Sequence, residues 1–147
     1  MLPYQQPRPV PRCTQHSIIP TTACRRLYLS ARGALQIECY PHPTLIEIFG
    51  LDYRLAYKKG LAKDKRAGQI QLAPYLLSLA NHPQMPMQIP SSCADWLQQE
   101  VINDLKGTAL KQNEDRLDAL VCLYIAFRHR QGQSLCFGST EQGHIVI

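Results

Sequence analysis

Apolar and polar residues alternate most clearly in one short stretch. In ALQIECY, residues 34–40, Leu35, Ile37 and Cys39 alternate with Gln36, Glu38 and Tyr40. A period of two predicts a strand at 35–40. Pro41 to Pro43 stop it, and TLIEIFG then predicts a short helix ending at Gly50. Residues 52–63, DYRLAYKKGLAK, have aromatics among basic residues and read as a basic loop. Helical spacing returns over 64–80 through Ile70, Leu72, Leu76, Leu77 and Leu79, with Pro74 expected to kink or restart the helix. NHPQMPMQIP reads as a surface loop.

In SCADWLQQEVINDL, Trp96, Leu97, Val101, Ile102 and Leu105 share one helical face, with Ser91 or Ser92 as cap and Gly107 as stop. NEDRLDALVCLYIAFRHR predicts another helix, capped by Asn113 and ending near Gly132. SLCFG and GHIVI, joined by STEQ, predict a closing hairpin with strands near 133–137 and 143–147. The class is therefore α/β, helix-rich with a few short strands. Five prolines in residues 1–20 mark a leader with little regular structure, and a short helix is expected at 21–31. The expected organisation is a leader, 1–20, and a single domain, 21–147.

Composition changes this picture at three points. The 45% hydrophobic and 18% charged fractions suit a folded globular chain. The formal net charge is +5. Residues 1–37 contain Arg8, Arg12, Arg25, Arg26 and Arg32 and no acid, which fits contact with a polyanion such as nucleic acid, or simply a solvated basic leader. Six cysteines without a C-x-x-C pair, and a start with no apolar signal segment, predict reduced thiols and a cytoplasmic location. No apolar run reaches the ~18 residues of a membrane span.

The candidate chemistry lies in carboxylates. Glu114 and Asp115 suit a helix start, where unpaired amides favour negative charge. Asp118 lies further in, beside the stripe of Val121, Cys122 and Ile125, where aspartate is a poor helix former. A carboxylate at a core boundary must be hydrogen-bonded, paired or metal-bound. Asp115, one turn earlier, can join the same patch. Glu38 stands at the end of a strand, a place where open α/β sheets put their chemistry, although an exposed edge glutamate is an equally good account.

Taken together, ECYPHPTLIEIFGL with the later YKKG, and NEDRLDALVCLYIAFRH with GHIVI, resemble the second half of DUF429, a domain of unknown function whose members are thought to be nucleases with a ribonuclease H-like fold. The resemblance covers about residues 35–147. It implies a mixed sheet flanked by helices and a metal site in which Asp118, Asp115 and Glu38 hold Mg2+ or Mn2+, with Asp118 matching the aspartate of the family's final helix. It also implies Lys58 and Arg54 as phosphate contacts. Relatives begin with a strand bearing a first aspartate in a G-x-D context, and this chain has no such strand. An incomplete ribonuclease H-like domain is therefore expected, with an open sheet edge that invites self-association or a partner. Two functions follow: a metal-dependent, nuclease-like hydrolase of phosphodiesters, or an inactive remnant that binds nucleic acid or a protein.

Overall fold

The structure, a computed structural model, describes residues 37–139 and 143–147. The leader, the helix expected at 21–31, the arginines of the first quarter and strand positions 35 and 36 lie outside the described residues. The architecture is helix-rich α/β, as the sequence pattern predicts, and its described residues fall into two compact units. One comprises 52–121, the other 37–51 with 122–147.

In the second unit, β1 (Glu38–Cys39) leads directly into α1 (Pro41–Phe49). Pro41 and Pro43 do not separate strand from helix by a loop; they open the helix, where a missing N–H costs nothing and the fixed φ is already helical. The Thr44 hydroxyl donates to the Tyr40 carbonyl at 2.8 Å and fastens this first turn. Gly50 ends α1 at φ 59, a left-handed cap natural to glycine. β2 (Cys136–Ser139) and β3 (Gly143–Val146) pair antiparallel, as the hairpin pattern predicts. β3 is central, and its other side takes β1 in parallel register, Glu38 opposite Ile145 and Cys39 opposite Val146. The core of this unit includes Leu45, Ile48, Tyr124, Ile125, Cys136 and Val146. The guanidinium of Arg128 donates to both carboxylate oxygens of Glu47, at 3.1 and 3.3 Å, tying α1 to the last turn of the long C-terminal helix.

The first unit begins with loop 52–61 and continues into α2 (Ala62–Ser78). Pro74 does not restart this helix, which runs unbroken through it. It lies on the exposed side, where the carbonyl it leaves unmatched can face water. A single 3-10 turn, Leu79–Asn81, follows, and the loop beyond it is pinned by buried Met85. The helix expected over 92–105 is two pieces: a 3-10 segment at Ser91–Leu97 and α3 (Gln99–Asp104), separated where Gln98 turns extended at φ -80, ψ 125.

The last helix, α4 (Gly107–Arg130), has 24 residues and begins six before the expected cap. Asn113 is therefore inside the helix and buried. Its side-chain amide donates to Gln69 Oε1 at 3.0 Å and to the Trp96 carbonyl at 3.2 Å, while Gln69 Nε2 donates to the Leu110 carbonyl at 3.1 Å. Each buried amide thus meets partners, which burial demands. Around them Leu72, Leu76, Ile102, Leu110 and Leu117 form the apolar core of the unit. Fully burying such a side chain contributes about 1.5–3 kcal/mol. Among the described cysteines, Cys39, Cys93 and Cys122 are thiols, whereas Cys136, enclosed at 0% exposure, is disulfide-bonded, so the reduced state expected for all six is corrected there. No helix of the described residues is long and apolar enough to cross a membrane.

Candidate functional site

Asp118 projects from the middle of α4, and each of its oxygens has a partner from loop 52–61. The Tyr57 hydroxyl donates to Oδ1 at 2.7 Å, and Lys58 Nζ lies 2.6 Å from Oδ2. The requirement that a carboxylate at the core boundary be paired is met, by a phenol and an ammonium. Tyr57 is fully buried, while the Lys58 and Asp118 side chains keep 22% and 24% exposure. Lys58 Nζ also sits 5.4 Å from the centroid of the Tyr57 ring, a cation–π contact.

Glu114 and Asp115 are not at a helix start. They stand in the third turn of α4 and share one cation: Lys111 Nζ lies 2.7 Å from Glu114 Oε1 and 2.8 Å from Asp115 Oδ1. These are i,i+3 and i,i+4 pairs along one helix face. The hydrogen bonds that the Lys111 ammonium donates to Asp115 and then Glu114 raise its pKa above the ordinary lysine value. Asp115 and Asp118, expected to form one patch, are therefore neutralised by different lysines. Glu38, in the other unit, is an exposed residue of the edge strand β1.

A pair of divalent cations needs several carboxylates aimed at one point. Of the eleven acids all but Glu141 are described, yet no group of three or more His, Cys, Asp or Glu side chains is placed to hold a metal ion among the described residues. Both oxygens of Asp118 are already engaged. The described residues thus do not fit a carboxylate-held pair of magnesium or manganese ions.

What the loop does present is positive charge with an aromatic. Leu55 and Tyr57 point inward as anchors. Between and beside them Tyr53, at 76% exposure, Arg54 and Lys59 are exposed, as is Lys63 at the start of α2. None of these three cations is in an ion pair among the described residues. Lys58, expected as a phosphate contact beside Arg54, is committed to Asp118 and acts as the clip that holds the loop down. The alternation of apolar and basic residues from 53 to 59 could have indicated this inside–outside division. Nothing local in the sequence pairs Tyr57 with Asp118, which lie 61 residues apart.

His129, near the end of α4, is buried at 0% exposure, with Nδ1 2.9 Å from Ser134 Oγ. His42 lies in α1, half-buried, its ring edge-on to Tyr40 at 6.3 Å between centroids.

No curated protein and no solved structure matches this chain. A family model does match, that of a protein of unknown function (DUF429), over residues 23–142. That span covers most of the sequence and both parts on which the resemblance was argued, the E-x-YPH strand end and the ED-x-LDAL helix. The chain belongs to the DUF429 family.

Proposed function

We propose that this chain binds single-stranded nucleic acid through loop 52–61 and the first turn of α2. The observation that carries the reading is an exposed tyrosine, Tyr53, set beside uncommitted Arg54 and Lys59 on a loop held down by buried Leu55 and Tyr57 and by the Lys58–Asp118 ion pair, with uncommitted Lys63 where α2 begins. Single strands bind to such surfaces by stacking bases on an aromatic ring while cations track the phosphates, without reading sequence. A fixed loop loses less conformational entropy on binding than a loose one. The overall positive charge, +5, assists the encounter.

Fluorescence anisotropy with a labelled single-stranded oligonucleotide tests this. Affinity should fall between about 50 and 200 mM salt, because phosphate contacts release counterions. Arg54→Glu with Lys59→Glu should weaken binding by about tenfold or more. Affinity that ignores both salt and the double variant would refute the reading.

A second reading, metal-dependent hydrolysis of phosphodiesters with magnesium or manganese, draws on family membership and on Asp118, a half-buried carboxylate in a helix interior beside a lysine. It requires carboxylates beside Asp118 beyond those the described residues bring there. Calorimetry with manganese and an oligonucleotide cleavage assay decide it: metal-dependent cleavage lost in Asp118→Asn, with the fold intact, would establish it, and neither heat nor cleavage would end it.

A further inference from the structure

The sulfurs of Cys39 and Cys122 lie 3.3 Å apart although 83 residues separate them in sequence. Cys39 closes β1, and Cys122 sits in α4; both belong to the same compact unit, and both are half-buried thiols. A disulfide requires the sulfurs at about 2.05 Å, so the pair needs to close by little more than an ångström, within the reach of small χ1 adjustments. Cys93, also a half-buried thiol, has the Ser92 hydroxyl as its sulfur's neighbour at 3.9 Å.

We propose that Cys39 and Cys122 form a redox modification site, a dithiol that a peroxide converts reversibly to an intramolecular disulfide. One thiolate attacks a peroxide oxygen, the O–O bond breaks, and hydroxide leaves and takes up a proton as water, giving a sulfenic acid. The neighbouring thiolate attacks that sulfur, the S–O bond breaks, and a second water departs with the remaining proton. The two thiols lose two electrons in all and one peroxide gains them, producing one disulfide and two waters. A small dithiol reverses the change by exchange. The cross-link ties the edge strand β1 to α4 and shortens the chain's freedom when unfolded.

The test uses the full chain treated with stoichiometric hydrogen peroxide, alkylated with N-ethylmaleimide, digested and mapped by mass spectrometry. The expected result is a linked peptide pair containing Cys39 and Cys122, with Cys93 alkylated as before, reversed by dithiothreitol. The peroxide-treated protein should melt about 5–15 °C higher than the untreated one. Cys39→Ser and Cys122→Ser should each abolish both the linked pair and the shift. The proposal fails if Cys39 and Cys122 remain as alkylatable as Cys93, or if either appears only in cross-links to another molecule. Because the mapping is made on the unaltered chain, misfolding of a serine variant does not obscure the answer.

Discussion

Asp118 illustrates how one side chain can be structural and still adjoin the surface proposed to bind nucleic acid. Asp118→Asn removes the charge that holds Lys58 and leaves the Tyr57 hydroxyl a weaker acceptor. With both partners about a quarter exposed, the expected cost is about 1–2 kcal/mol in urea denaturation, and loop 52–61 should become more open to proteolysis. Asp115→Asn should cost under about 0.5 kcal/mol, since its i,i+4 partner is solvent-exposed. The pH behaviour of Lys111 follows from its raised value. A cation whose affinity for its proton is increased by folding contributes fully below the unfolded value, about 10.4, and loses that contribution only as pH rises through the still higher folded value. Lys111→Ala should therefore lower the melting temperature slightly and equally across about pH 6–9, with the difference from the parent vanishing only in strong alkali.

At the scale of elements, Gly68 is the most constrained position of α2. A methyl group there would lie 2.6 Å from the Ala56 carbonyl carbon and the Tyr57 nitrogen, so Gly68→Ala must push α2 away from the loop that carries Tyr57. Overpacking against backbone should cost about 3 kcal/mol, measured by urea denaturation. In the β2–β3 hairpin, Gly138 has φ 119 and any Cβ would collide with the Gly143 carbonyl, so Gly138→Ala should unpair the strands and lower the melting temperature. These elements differed in how openly the sequence announced them. α1, the hairpin and the apolar stripe of α4 follow directly from periodicity and from Gly50. The start of α4 did not, because Asn113 has the side chain of a cap. Counting back from Leu117 in steps of three and four places positions 113 and 110 on the buried face, which is where they lie. Pro74 misled in the opposite sense: its type signals a break, but the helix continues through it, and its exposed position leaves the freed carbonyl open to water.

For the whole molecule, the α/β class and the family were readable because short motifs at both ends of the matched span reinforce each other. The state of the carboxylates was not readable. Whether Asp118 meets a cation or an ammonium depends on a contact across 60 residues, which spacing on one helix cannot report. Charge makes the corresponding prediction at this scale. Three uncommitted cations, two on the loop and one where α2 begins, should give log affinity against log salt a slope of about −2 for single strands, and Arg54→Ala with Lys59→Ala and Lys63→Ala should flatten that contribution, as read by anisotropy titrations. A steeper slope in the parent would count the arginines of the first quarter as further contacts. The relay of Gln69, Asn113 and the Trp96 and Leu110 carbonyls has its own consequence. It works as a key cut for one alignment: a slip of α2 along α4 by a helical turn, about 5.4 Å, would strand two dry amides at once. Greasy contacts alone would tolerate neighbouring alignments with little discrimination, so the amides select the correct one at the moment the helices dock.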